Sequence, residues 1–312
     1  MFSGASTFVS DVDTVFVLII GISLFFLIGI TATIIVFLVR YNKKRNPVAT
    51  DIEGSTRLEI IWTVIPTILV LIMFFYGWYG YTPLSRMPKD AFKVKVVSRM
   101  WMWRFEYPNG LVTDTLYVPA NKAVLLDMVS MDVIHSLYIP AFRIKQDVVP
   151  GKQNEMWFIS NRPGRYDLFC AEYCGMRHSY MLTAVQVMPH AQFTAWYNKA
   201  PAKVDLATAA KTGAIGKNIM QNKGCVACHT IDGSRLVGPS FKNIYGQKVT
   251  VTTAGKEREI TVDDEYIARS INDPTADVVK GFKEGQMVSY KGQFTDDDIK
   301  QIIEYIKTLS DK

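Results

Sequence analysis

The sequence predicts a multidomain membrane protein. A helical hairpin crosses a bilayer twice, an all-β domain follows, and a mostly helical domain ends the chain. Three observations predict this. Val15 to Val39 and Ile60 to Ser85 carry no charged residue. Short runs rich in valine, methionine and aromatics, divided by turn signals, fill residues 92–188. From about residue 205 the pattern changes to amphipathic helices around a C-x-x-C-H motif.

Each uncharged stretch exceeds the ~20 residues that a helix needs to cross the hydrocarbon core, and buried core helices are usually shorter. The first is too long for a signal-peptide apolar region, and no Lys or Arg precedes it, only Asp11 and Asp13. It reads as a retained transmembrane helix. Between the two helices, Arg40, Lys43, Lys44, Arg45 and Arg57 make the loop basic. The positive-inside rule puts that loop in the cytoplasm, with both termini and everything after about residue 86 outside. Residues 1–86 are the expected transmembrane hairpin.

Residues 87–197 form the expected β-domain. "FKVKVVSRMWMWRF", "AVLLDMVS", "NEMWFIS" and "LTAVQV" read as strands, with turns at "YPNG", "VPGK" and "NRPG". Such spacing suggests an antiparallel sandwich or barrel. The small, polar, alanine-rich "NKAPAKVDLATAAKTGA" reads as a linker, 198–210, running into a helix. In the last domain, 211–312, "TVDDEYIARSINDP" has Thr261 and Asp264 at a capping spacing and stops at Pro274. The final helix lines up Ile299, Ile302, Ile303, Ile306 and Leu309 on one face. No internal repeat is visible.

The net charge of +6 has a location. Residues 1–59 hold five basic and five acidic residues, and residues 205–312 hold fifteen of each. The whole excess lies in residues 60–204, so the β-domain is the basic part. Nucleic acid is excluded as its partner because this domain lies outside the membrane.

"CVACH", residues 225–229, is the attachment signature of a c-type haem. Cys225 and Cys228 can form thioethers, and His229 presents an imidazole to the iron. A thioredoxin-like pair would not require the histidine, and zinc would want a second ligand pair nearby. Met287, in the polar loop "EGQMVSYKGQF", is the expected sixth ligand. Met220, in the helix before the motif, is its competitor. The "VGPSF" segment near Pro239 is positioned to orient His229. Residues 205–312 resemble a class I cytochrome c, an all-α domain.

"CAEYCGMRHSYM", residues 170–181, has three readings. A disulfide would leave the histidine and methionine unexplained. Zinc takes cysteine and histidine, but thioether is a poor zinc ligand. Thiolate, thioether and imidazole together suit copper. A single blue-copper site uses one cysteine, so two point to a pair of coppers bridged by both sulfurs. His178 and Met181 then supply one imidazole and one axial ligand. The chain has four histidines. His229 is committed to haem and His190 lies at the domain's end, so His135 in "DVIHSLYIPAF" is the natural candidate for the second imidazole.

Residues 15–190 resemble subunit II of the haem–copper cytochrome c oxidases. The resemblance is carried by the two helices, "SRMWMWRFEYP", "DVIHSLYIPAFRIKQDVVPG" and "RPGRYDLFCAEYCGMRHSYM". With the fused cytochrome domain it looks like the caa3 type. The resemblance implies a cupredoxin-like Greek-key barrel holding a dinuclear copper centre, CuA. Its ligands would be His135, Cys170, Cys174, His178, Met181 and the carbonyl of Glu172. Met176 is a rival to Met181, but only Met181 occupies the family position. The Glu172 carboxylate would face a magnesium or manganese site shared with subunit I. Trp101 would be the surface aromatic that receives electrons for the copper centre. Glu59, otherwise explained by the helix dipole, would stand at the mouth of a proton pathway of subunit I.

The resemblance further implies partners in oxidase subunits I and III. A quinol:cytochrome c oxidoreductase or a small cytochrome c would be the electron source. The setting would be a bacterial plasma membrane with the redox domains on the periplasmic side. No catalytic residue is expected in this chain, since oxygen chemistry would reside in subunit I. Three other readings share parts of the pattern: a nitric oxide reductase subunit, nitrous oxide reductase and a membrane-anchored copper chaperone. The two-helix anchor and Glu59 argue against the second. Met181 and the attached haem argue against the third.

Overall fold

The computed structural model describes residues 4–48, 51, 53–199 and 213–311. Two long helices come first, α1 (Val9–Arg40) and α2 (Thr56–Ser85), and neither buries a residue. Both are long and apolar enough to cross a membrane. At 1.5 Å per residue each is about 45 Å long, more than the hydrocarbon core requires. Their outer ends are tied to the β-domain. Ala5 N donates to Ala141 O at 2.8 Å, and Ser160 Oγ to Ala5 O at 2.7 Å. Arg143 pairs with Asp13 at 2.7 Å, and Trp157 Nε1 donates to Leu84 O at 2.9 Å.

The β-domain has ten strands. They are β1 (Phe92–Arg99), β2 (Met102–Glu106), β3 (Val112–Thr113), β4 (Leu116–Pro119), β5 (Ala123–Ser130), β6 (His135–Ile139), β7 (Ile144–Val148), β8 (Asn154–Ile159), β9 (Gly164–Cys170) and β10 (Leu182–Met188). Two five-stranded sheets result, ordered β3-β2-β1-β5-β8 and β4-β10-β9-β6-β7. Val94, Val96, Phe105, Leu126, Leu137, Phe158, Leu168 and Val185 are fully buried in the resulting core. This is a cupredoxin-like sandwich, with two departures from expectation. The sheets are mixed, since β1 pairs with β5, and β4 with β10, in parallel. The reason is that β4 lies in the second sheet, so the chain changes sheets before β5 and returns in the direction of β1. The run 92–105 also divides into two strands, folding back between Arg99 and Met102. A short helix, α3 (His190–Tyr197), closes the domain by stacking Trp196 on Tyr117 at 4.6 Å.

The predicted linker 198–210 lies, from residue 200 on, outside the described residues. The last domain contains α4 (Ala214–Asn222), α5 (Cys225–Cys228), α6 (Asp264–Asn272) and α7 (Asp296–Thr308). It is not purely helical. Strands β11 (Lys248–Thr253), β12 (Lys256–Thr261) and β13 (Val278–Val279) form a sheet ordered β12-β11-β13. Ala254 and Gly255 both have positive φ, the requirement of a two-residue hairpin turn, between the alternating Val and Thr of β11 and the charged β12. The cap of α6 also differs from expectation. Asp263, not Thr261, accepts from Tyr266 N at 2.8 Å, because Thr261 is held in the β12–β11 pairing. The helix stops before Pro274, and α7 buries Ile299, Ile302, Ile303 and Ile306 behind a Thr295–Asp298 capping box. Helix α4 crosses α7 at Gly216, where a Cβ would collide with the Gln301 carbonyl oxygen.

Candidate metal centre and cytochrome cleft

Strand register brings the copper-candidate residues together. β9 ends at Cys170, and β6, which pairs with it, begins at His135. Ala171 N donates to Ser136 O at 2.9 Å, and Cys170 N to Met181 O at 3.1 Å, pinning both ends of the cysteine loop. The two Sγ atoms stand 3.7 Å apart. Cys170 Sγ lies 3.9 Å from His135 Nδ1 and 3.2 Å from the Glu172 carbonyl oxygen. Cys174 Sγ lies 3.5 Å from His178 Nδ1 and 3.7 Å from Met181 Sδ. The ligand atoms of His135, Cys170 and Cys174 all fall within 4.8 Å of one another. His135 and Met181 are almost wholly buried.

This donor set fits a soft metal pair. Two sulfurs, two imidazoles, a thioether and a carbonyl match copper better than zinc or a hard cation. The rival Met176 is 58% exposed and its sulfur lies 3.9 Å from Gln286 Nε2, away from the cluster.

Hydrogen bonding from the Cys174 thiol, with help from His135, outweighs burial and holds the Cys170 thiol well below its usual range. The Cys174 thiol is pushed up by that neighbouring sulfur and by burial. Asp132 Oδ1 lies 2.8 Å from His135 Nε2. Burial opposes charge on Asp132, but His135 and the Met100 and Val133 N–H groups outweigh it and keep the carboxyl low. Burial likewise opposes charge on His135, and the bonds to Asp132 and Cys170 raise it. A carboxylate behind a metal-binding imidazole fixes its tautomer and orientation. Asp132 was not legible as a site residue. Its only signal is a carboxylate three residues before the candidate histidine.

Trp101 departs from expectation. It is 8% exposed rather than a surface aromatic, packed in the core cluster of the β-domain and lining the cytochrome cleft. Its Nε1 donates to the Cys174 carbonyl at 3.1 Å. Gly175, at φ +112°, lies against the indole, where a Cβ would come within 3.3 Å of Cζ2.

The cytochrome domain holds an apolar cleft lined by Cys225, Cys228, His229, Met220 and Met287, and by Met100 and Trp101 of the β-domain. That lining fits a haem. His229 Nδ1 lies 2.8 Å from the Pro239 carbonyl oxygen, which can only accept. Nδ1 therefore carries the proton, and Nε2 is left for a metal. Gly238 packs so close to the imidazole that a Cβ would collide with it, and Phe241 stacks on the ring at 4.5 Å. Burial lowers His229, against the pull of the Pro239 carbonyl, and pushes both thiols up to about 11. Met220 is fully buried on α4, while Met287 comes from the loop before α7.

Two arginines of the β-domain reach the cytochrome domain. Arg99 stacks on Tyr290 at 4.5 Å and donates to Gln293 Oε1 at 2.7 Å. Arg177 donates to the Ala227 carbonyl. The remaining predicted residues stand apart. Glu59 is exposed in the first turn of α2. The Glu172 side chain is exposed, and only its carbonyl faces the cluster.

Three family models match the chain in order. They are the cytochrome c oxidase subunit II transmembrane domain over residues 1–78, its periplasmic domain over 109–188, and cytochrome c over 213–310. Cytochrome c oxidase subunit 2 of Bacillus sp. (strain PS3) is 30% identical over 295 residues, 86% of this chain and 79% of that protein. The chain belongs to the cytochrome c oxidase subunit II family. The subunit of the same name from Alkalihalophilus pseudofirmus is 28% identical over 305 residues, 94% of this chain and 86% of its own. Among solved structures, the periplasmic domain of subunit II of cytochrome oxidase of Bradyrhizobium japonicum is 31% identical. It covers 37% of this chain and 96% of its own, with a TM-score of 0.35. This subunit II is therefore a membrane-anchored component of a haem–copper oxidase, of caa3 type, with copper and cytochrome c domains on one chain.

Proposed function

We propose that the fused cytochrome domain is the direct electron donor to the copper domain of the same chain. The observation that carries this reading is Trp101, which lines the cytochrome cleft and donates a hydrogen bond to Cys174. His135, Cys170, Cys174, His178, Met181 and the Glu172 carbonyl would hold dinuclear copper. Cys225, Cys228, His229 and Met287 would hold haem c. These groups, when bound, supply one-electron transfer.

The chain's own contribution is rigidity and exclusion of water. Asp132 locks the His135 ring, and the strand pairing at Leu137–Cys170 locks the cysteine loop. Burial of His135, Cys174 and Met181 keeps solvent from reorganising around a changing charge. The basic balance of residues 60–204 favours a near-neutral partner on the same chain over a soluble basic cytochrome. The tether supplies it at high effective concentration.

In this reading electrons pass on to subunit I, with subunit III also present. They are supplied from outside by a quinol:cytochrome c oxidoreductase or a small cytochrome c. The redox domains face the periplasm of a bacterium. The exposed Glu172 carboxylate is offered to a magnesium or manganese ion shared with subunit I, and Glu59 to its proton pathway.

The test is spectroscopic, on the full chain with haem attached and copper loaded. A copper hyperfine pattern shared over two nuclei, beside a c-type haem band, is expected. A mononuclear copper signal would overturn the copper assignment. Fast, strongly salt-sensitive turnover with an added basic cytochrome c, after deletion of residues 205–312, would overturn the donor assignment.

A further inference from the structure

Between the copper and cytochrome domains lies a second cavity. It is lined by Lys95, Arg99, Arg104, Lys223 and Gln293, with methionines and valines. The sheet produces this grouping. Lys95, Val97 and Arg99 alternate along β1, and in β2 Arg104 stands opposite Val97 and Met102 opposite Arg99. One face of two neighbouring strands therefore carries three cations. Lys223 arrives from the end of α4, anchored where its carbonyl accepts from Tyr290 Oη at 2.9 Å. Arg99 stacks on that same tyrosine ring.

Four cations thus converge, with Glu106 and, toward Lys223, Asp298 as carboxylates near them. Glu106 pairs with Lys95 at 3.4 Å and with Arg104. Arg99 is 6% exposed, and its Nη1 is buried with no hydrogen-bond partner. Its other terminal nitrogen donates to the neutral Gln293, and the guanidinium also engages Tyr290. A buried guanidinium nitrogen left without an acceptor is costly, and a second cation nearby adds repulsion.

We propose that this interdomain cavity binds a phosphate-class oxyanion, held between Arg99 and Arg104 of the copper domain and Lys223 of the cytochrome domain. Arginine forks match the geometry of a tetrahedral oxyanion, and the lysine adds a point charge. Because the ligands come from both domains, the anion favours the docked arrangement over the separated one.

The test uses the full chain in detergent, with haem and copper in place, at low ionic strength. Equilibrium dialysis with radiolabelled inorganic phosphate, then pyrophosphate, should show one saturable site per chain. Arg99→Gln and Lys223→Gln should each weaken it at least tenfold, while Lys248→Gln, in the far hairpin, should not. Unchanged haem and copper spectra establish that the variants are folded and keep this test separate from the relay reading. Competition by micellar phosphatidylglycerol would assign the site to a lipid headgroup, and its failure to compete to a soluble anion. No saturable binding to the parent chain, or equal binding by parent, Arg99→Gln and Lys223→Gln, would overturn the proposal.

Discussion

The indole nitrogen of Trp101 donates to the main-chain carbonyl of Cys174 at 3.1 Å, and the same ring walls the cleft that contains Cys225, Cys228 and His229. One side chain therefore touches both halves of the candidate relay.

Replacing Trp101 by Phe keeps an aromatic ring and removes the hydrogen bond, whereas Ala removes both. Intramolecular electron transfer from the cytochrome to the copper domain should slow modestly in Trp101→Phe. In Trp101→Ala it should slow about tenfold or more, the equivalent of ~1.4 kcal/mol on the barrier. Flash-induced reduction followed at the haem and copper bands measures this. Equal rates in all three proteins would remove Trp101 from the path.

Asp132→Asn should lower copper affinity by roughly 10–100-fold, the usual effect of removing a carboxylate behind a ligating imidazole. Competition with a graded series of chelators measures it. The fold should survive, since Asn can still accept from the Met100 N–H that Asp132 accepts at 2.7 Å.

Gly216→Ala should be strongly destabilising for one methyl group. The added carbon meets the Gln301 main-chain oxygen and Tyr305 Cβ, neither of which can rotate away. Overpacking of this kind costs ~2–3 kcal/mol, so thermal melting of the cytochrome domain should fall by on the order of 10 °C.

Asp277 gives the cytochrome domain an acid-sensitive pin. Burial raises its carboxyl, but bonds from Thr253 and Arg258 and the charge of Arg269 more than offset this, so the folded value is depressed. A depressed carboxylate stabilises above the unfolded value of about 3.9 and loses that contribution as pH falls through the folded value. Its side chain is 4% exposed, while its arginine partners are 48% and 39% exposed. With that screening, Asp277→Asn should cost ~1–2 kcal/mol at neutral pH. It should also flatten the acid limb of the stability curve, measured by denaturant titration from pH 7 to 3.

The metal loop was legible because its chemistry is local. Cys170, Cys174, His178 and Met181 sit within twelve residues, and a count of four histidines singled out His135. Asp132 escaped because it binds no metal itself, and its partner is defined by ring orientation rather than spacing. The parallel pairing of β1 with β5 escaped for another reason. Periodicity reports which face of a strand is buried but not which distant strand lies beside it. The β11–β12 hairpin had local signals in "KVTVTTAGKEREIT", but they were overshadowed by the helices on either side. Trp101 was found by its motif, and its burial was not, because its hydrogen-bond partner Cys174 lies 73 residues along the chain.

Arg177 directly precedes His178, and its guanidinium holds the Ala227 carbonyl between the two thiols of the haem motif. Copper loading needs access to Cys170 and Cys174, and haem attachment needs access to Cys225 and Cys228. One hydrogen bond thus joins the loop that carries His178 to the loop that carries Cys225 and Cys228, so the two cofactor loops share a rigid link.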